Sequence, residues 1–238
     1  MSMTATKKKW HTVLTSISCL FVIVGLMLMT TDFVVQSRAF YNWQFNKNDT
    51  AFELGLSEEQ LREVRDQLRD YFAGRSDTLQ IYVIFDGDTE PTPFYTEDEL
   101  CHMRDVKEVF LGFRITAWSL LMVGLLTLII LGIFLRRRFV RALTSGAIIG
   151  GITFLTIIIS MALLILATWE RSFEIFHYIF FPQGNWQFSN SNMIDMLPYT
   201  LFMDAALIIA GVGIGVAVIF VVAGIVSKIF LKKSEYNS

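Results

Sequence analysis

The chain has 238 residues, 53% of them hydrophobic, and a formal net charge of −2. Soluble domains are already about 45–50% apolar when glycine is counted, so it is the arrangement that sets this chain apart. Two cysteines are too few for a disulfide scaffold, and neither a nucleic-acid-binding motif nor a Gly-rich phosphate loop occurs.

Four stretches carry no Asp, Glu, Lys or Arg: 10–31, 115–135, 142–169 and 205–227. About 20 apolar residues suffice for a helix to cross the ~30 Å hydrocarbon core. A backbone in lipid must satisfy its own hydrogen bonds, so each stretch is predicted to be a helix. The expected transmembrane segments are 10–33, 115–135, 142–168 and 205–230. Lys7, Lys8 and Lys9 precede the first, which resembles a signal peptide but is too long and has no clean cleavage site; it reads as an uncleaved anchor. Arg136, Arg137, Arg138 and Arg141 fill the link between the second and third, and Lys228, Lys232 and Lys233 follow the fourth. Basic residues mark the cytoplasmic side, so both termini are expected inside, with 34–114 and 169–204 outside.

Segment 34–114 is too long for a plain connection. Ser57-Glu58-Glu59-Gln60 fits a capping box ahead of Leu61, Val64, Leu68 and Phe72, which recur at helical spacing, and Gly74 supplies a stop. Residues 79–85 read as a strand closed by Asp86-Gly87. Thr96-Glu97-Asp98-Glu99 is a second capping box, opening a helix expected to run into the second span. The fold expected is an α-helical integral membrane protein, a four-helix transmembrane bundle with a small α+β extracytoplasmic cap. Segment 169–204 is aromatic. An interfacial belt of rings accounts for most of it, though the bend at Pro182-Gln183-Gly184 could also wall a lipid-binding groove.

Of the three histidines, His11 falls at the inner end of the first span, whereas His102 and His177 both fall on the outer side. Histidine titrates near neutral pH and suits proton transfer. Glu99 and Glu174 each precede a histidine by three residues, on the same helical face. Paired Glu-x-x-His is also the ligand pattern of di-iron carboxylate bundles, but the spans offer none of the additional glutamates such a site needs. No metal site and no cofactor is therefore expected; a di-metal oxidoreductase is the lesser alternative. The spans carry no internal ionisable step for an ion or proton pathway, which disfavours a transporter. Cys101 adjoins His102, but neighbours on a helix point apart, and Cys19 lies in the first span, so no disulfide is expected.

Residues 95–107, ending His102-Met103-Arg104-Asp105-Val106-Lys107, resemble a signature of the bacterial lipoprotein intramolecular transacylases, the Lit family. Residues 176–188, with His177, Pro182, Gly184 and Trp186, resemble its second block, and 195–202, from Asp195 through Pro198, its end. The resemblance implies a four-span acyltransferase. Its substrate is a diacylated bacterial lipoprotein, and it moves the sn-2 acyl chain of the diacylglyceryl-cysteine to that cysteine's own α-amino group. The resemblance also implies that His102 and His177 are the functional pair. Glu99, Glu174 and Asp105 are candidates to orient the rings. Trp186 and Asp195 are further candidates for support, with anchoring and helix capping as their plainer roles. Besides substrate, the expected partner is membrane lipid and not nucleic acid; a non-catalytic membrane interaction protein of the same family is the competing reading.

Overall fold

The computed structural model describes residues 3–236, with side chains from Trp10 onward except at 235; the basic side chains of Lys7, Lys8 and Lys9 lie outside the described ones. Helices dominate. In chain order they are α1 (Met3–Gln36), α2 (Arg38–Lys47), α3 (Thr50–Leu54), α4 (Glu58–Ala73), α5 (Glu97–Leu135), α6 (Arg137–Ala167), α7 (Trp169–Phe180), α8 (Asn192–Met196) and α9 (Tyr199–Tyr236). Two short strands, β1 (Tyr82–Val83) and β2 (Thr92–Pro93), pair antiparallel, Tyr82 opposite Pro93 and Val83 opposite Thr92. Four helices, α1, α5, α6 and α9, are long and apolar enough to cross a membrane. The chain divides into two compact units.

The first unit contains residues up to Thr30, Arg114–Ala167 and Ile208 onward, which are the apolar parts of those four helices. Its core holds Ile23, Phe154, Ile158 and Ala217. Large apolar side chains such as Ile129, Ile133, Leu163 and Ile219 are exposed, as expected of surfaces that meet lipid. Lipid tails are as apolar as leucine, so helices in lipid associate through close packing at small residues. Here a Cβ on Gly146 would come within 2.5 Å of Thr15, and one on Gly150 within 2.7 Å of the Ser16 carbonyl. A Cβ on Gly124 would meet the Ser18 carbonyl at 2.9 Å, and one on Gly151 the Ala217 carbonyl at 3.0 Å. These contacts join α5 to α1, α1 to α6 and α6 to α9. Thr15 also donates its hydroxyl to the Ala142 carbonyl at 2.9 Å.

The second unit contains residues Thr31–Phe113 and Thr168–Leu207. Both capping boxes form. Ser57 and Gln60 exchange hydrogen bonds at the start of α4. At the start of α5, Glu99 N–H donates to the Thr96 hydroxyl and Thr96 N–H to the Glu99 carboxylate at 2.7 Å. Leu61, Val64, Leu68 and Phe72 are buried, and Gly74 ends α4 in the left-handed conformation at φ 75°. The first part of α5, residues 97–114, carries eight charged side chains and belongs to this polar unit as far as Phe113; the apolar, membrane-crossing part of α5 begins at Ile115.

Three features differ from the sequence reading. The strand expected over 79–85 shrinks to two residues. Its partner segment contains Pro91 and Pro93, which have no N–H to donate, so the ladder cannot extend. α2 and α3 were not foreseen. α2 is capped by Ser37, whose side chain accepts from Phe40 N–H, and Asn48 closes it. The aromatic segment 169–204 folds into α7 and α8, because Thr168 leaves helical geometry at φ −138° and separates α7 from α6.

Candidate active site

His102 lies in the second turn of α5 and is buried. His177 lies near the end of α7, buried on the inner side of an amphipathic helix whose Glu170, Arg171 and Glu174 are exposed or face outward. Their rings stand 6.3 Å apart, centroid to centroid, and within 22° of parallel. That separation is too wide for a direct stack.

Aromatic rings box the pair. Phe173 lies 4.0 Å, Trp186 4.7 Å and Phe181 5.5 Å from the His177 ring. Phe181 lies 4.8 Å and Phe188 5.7 Å from His102. Apolar walls of this kind exclude water and strengthen whatever polar interactions remain.

The protonation of His177 follows from geometry. Its Nδ1 is 2.8 Å from the Phe173 carbonyl oxygen, which can only accept, so Nδ1 carries hydrogen. The neutral ring therefore presents its lone pair at Nε2, where it can take a proton. Burial lowers the His177 pKa from its ordinary value, and the bond to Phe173 opposes that shift. His102 is pushed down to about 4, by burial first and by His177 second, with the Asp105 carboxylate pulling the other way. His102 is thus neutral at pH 7. Its Nδ1 has no partner among the described residues.

The carboxylates fall out differently from the spacing argument. Glu99 is buried, but it turns back to the start of its own helix, accepting from Thr96 N–H at 2.7 Å and from the Thr96 hydroxyl at 3.1 Å. Its other oxygen accepts a short hydrogen bond from the Ser191 hydroxyl. Glu174 is exposed and faces Arg171 at 3.9 Å. No hydrogen bond joins either glutamate to its histidine among the described residues, because each carboxylate is already engaged one turn back. Asp105 accepts from Gln183 Nε2 at 2.5 Å and from Asn185 Nδ2 at 2.9 Å, tying the 182–186 turn to α5. Gly184, at φ 81°, makes that turn possible. Trp186 lies over His177, and Asp195 is an exposed acid in the first turn of α8, where it suits the helix dipole.

Sequence reasoning missed Asn185, Gln183 and Ser191 as partners of the acids. Gln183 and Asn185 flank Gly184 in the second signature block, the one signal that could have singled them out. Among the described residues, no three His, Cys, Asp or Glu side chains converge in a way that could hold a metal ion.

The model of the lipoprotein intramolecular transacylase family, Lit, matches residues 13–202. The chain belongs to the Lit family. Solved structures share the Lit fold. The membrane-integral lipoprotein intramolecular transacylase Lit of Bacillus cereus superposes with a TM-score of 0.72 at 21% identity, over 98% of this chain and 100% of that one. Two structures of the same Bacillus cereus protein with one histidine replaced, by arginine in one and by alanine in the other, each give a TM-score of 0.69 at 21% identity. They cover 99% and 98% of this chain, and 96% and 97% of theirs. An uncharacterized protein of Aquifex aeolicus (strain VF5) is 30% identical over 140 residues, which is 58% of this chain and 60% of that relative. The Lit fold thus carries both histidines within one unit of this chain, on α5 and α7.

Proposed function

We propose that this protein converts a diacylated lipoprotein into its lyso form, moving the sn-2 acyl chain of the diacylglyceryl-cysteine to the α-amino group of the same cysteine. The observation that carries the reading is the near-parallel histidine pair, one ring with Nε2 free as a base and the other held neutral.

The α-amine of the lipoprotein attacks the sn-2 ester carbonyl carbon. An N–C bond forms, and the carbonyl electrons move onto oxygen. His177 Nε2 takes the proton released by the amine. The neutral His102 donates an N–H to the oxyanion, a role for which an imidazole that resists charging is suited. When the carbonyl reforms, the C–O bond to the glycerol breaks, and His177 returns its proton to the departing sn-2 oxygen. Atoms and charge balance without a nucleotide, metal or second substrate. Nucleophile and ester belong to one molecule, so the protein's main task is to fold that molecule into the attack geometry, which can lower the barrier by about 7–11 kcal/mol.

The basic residues at 136–141 and 228–233 support cytoplasmic termini, which would put the histidines on the extracytoplasmic face, where mature lipoproteins are found. The test is mass spectrometry of lipoprotein N-termini from cells with and without this protein. The N-acyl S-monoacylglyceryl form should appear only with it; identical N-termini in both would refute the proposal.

A further inference from the structure

Three buried polar side-chain atoms around the histidine pair have no partner among the described residues: His102 Nδ1, Asn185 Oδ1 and Trp186 Nε1. Buried polar atoms are ordinarily satisfied, so three in one aromatic box call for an explanation. Misorientation does not supply it. Asn185 is anchored through Nδ2, which donates to Asp105 at 2.9 Å and lies 3.7 Å from Cys101 Sγ. A carboxylate only accepts, so the amide cannot be flipped, and Oδ1 is fixed as an acceptor facing away from Asp105. The Trp186 ring packs on His177 at 4.7 Å and on Tyr178 at 5.5 Å, which fixes the direction of its N–H. The site therefore offers one fixed acceptor and one fixed donor, on adjacent residues, beside the base.

The reaction has the complementary needs. Its nucleophile is a primary amine with hydrogens to donate, and its transition state develops a negative oxygen that needs donors. We propose that Asn185 Oδ1 binds the α-amino group of the lipoprotein cysteine and that Trp186 Nε1–H joins His102 as a donor to the ester oxyanion. This rests on the reading of the protein as an intramolecular transacylase. Asp105 is then a positioning residue. It orients the Asn185 amide by accepting from Nδ2, which leaves Oδ1 to accept from the neutral amine.

The test uses the purified full-length protein in lipid vesicles with a synthetic diacylglyceryl-cysteine lipopeptide, following the lyso product by mass spectrometry. Trp186→Phe keeps an aromatic ring beside His177 and removes the N–H together with one ring of the indole. It should lower kcat by about 100–1,000-fold, the usual loss for one oxyanion donor, with KM within a few-fold of the unaltered protein. Asn185→Leu removes the acceptor at similar volume, along with the Nδ2 bond to Asp105, and should raise KM by about 10-fold or more, because the amine is held before the reaction as well as during it. Near-normal kcat in Trp186→Phe overturns the donor role. Should Trp186→Phe fail to fold, Asn185→Leu decides, and an unchanged KM in it overturns the proposal. Absence of product with the unaltered protein would instead refute the transacylase reading itself, and this inference with it.

Discussion

Glu99 separates a carboxylate that orients a histidine from one that holds the fold. Its carboxylate is buried, and three donors converge on it: the Thr96 N–H, the Thr96 hydroxyl and the Ser191 hydroxyl. Glu99→Ala removes the acceptor and leaves the Thr96 N–H and the Ser191 hydroxyl without it. A lost cap costs about 1 kcal/mol. Hydrogen bonds to a charged group contribute about 1.5–3 kcal/mol, and part of that is recovered when water reaches the freed donors. About 3 kcal/mol in all is the expected loss, equivalent to a fall of roughly 6–12 °C in Tm for a protein of this size. Thermal unfolding of the detergent-solubilised protein, followed by tryptophan fluorescence, reads this directly. The protein that remains folded at low temperature should keep most of its turnover. Glu174→Gln, which alters an exposed side chain 3.9 Å from Arg171, should change neither quantity. A Glu99→Ala variant with unchanged Tm and abolished turnover would restore Glu99 as a partner of His102 and remove it as a support of the fold.

Three further outcomes follow from the same geometry. Gly150→Val should hinder folding in the membrane by about 1–3 kcal/mol or more, because even a Cβ meets the Ser16 carbonyl at 2.7 Å; the yield of folded protein on size-exclusion chromatography measures it. His102 is depressed to about 4 in the folded chain, so the unfolded chain binds more protons between that value and about 6.5. The stability linked to neutral His102 is therefore present above about pH 6.5 and lost as pH falls toward 4, and His102→Asn should flatten the decline of Tm over that window. A reporter enzyme inserted at Gly87 should be active only outside the cytoplasm, and one fused to the C-terminus only inside.

The spans were legible because lipid demands long runs without charge, and a run such as 115–135 admits no other fold. The two capping boxes were equally plain, since Ser57 with Gln60 and Thr96 with Glu99 act within a single turn. Residues 79–85 misled because a strand depends on its partner, and the prolines that truncate the ladder lie about ten residues downstream. The sequence puts both histidines forward as candidates, and the fold brings their rings to 6.3 Å, but their neighbours were not legible. Glu99 looked like the orienting acid of His102 by spacing and instead caps its own helix. The acid that does tie the site together, Asp105, does so through Gln183 and Asn185, about 80 residues away. Sequence spacing carries no trace of contacts made across that distance.

His102 and His177 are proposed to act on one proton-transfer path. The decisive measurement is lyso-lipoprotein formation in His102→Ala, His177→Ala and the double variant, with His11→Ala as control and membrane protein levels checked in each. Each single substitution should nearly abolish product, and the double variant should be little worse than either, because groups that act as a unit are not additive. His11→Ala should retain full activity. Full activity in either His102→Ala or His177→Ala, at normal protein level, would show that the two rings do not share a proton path.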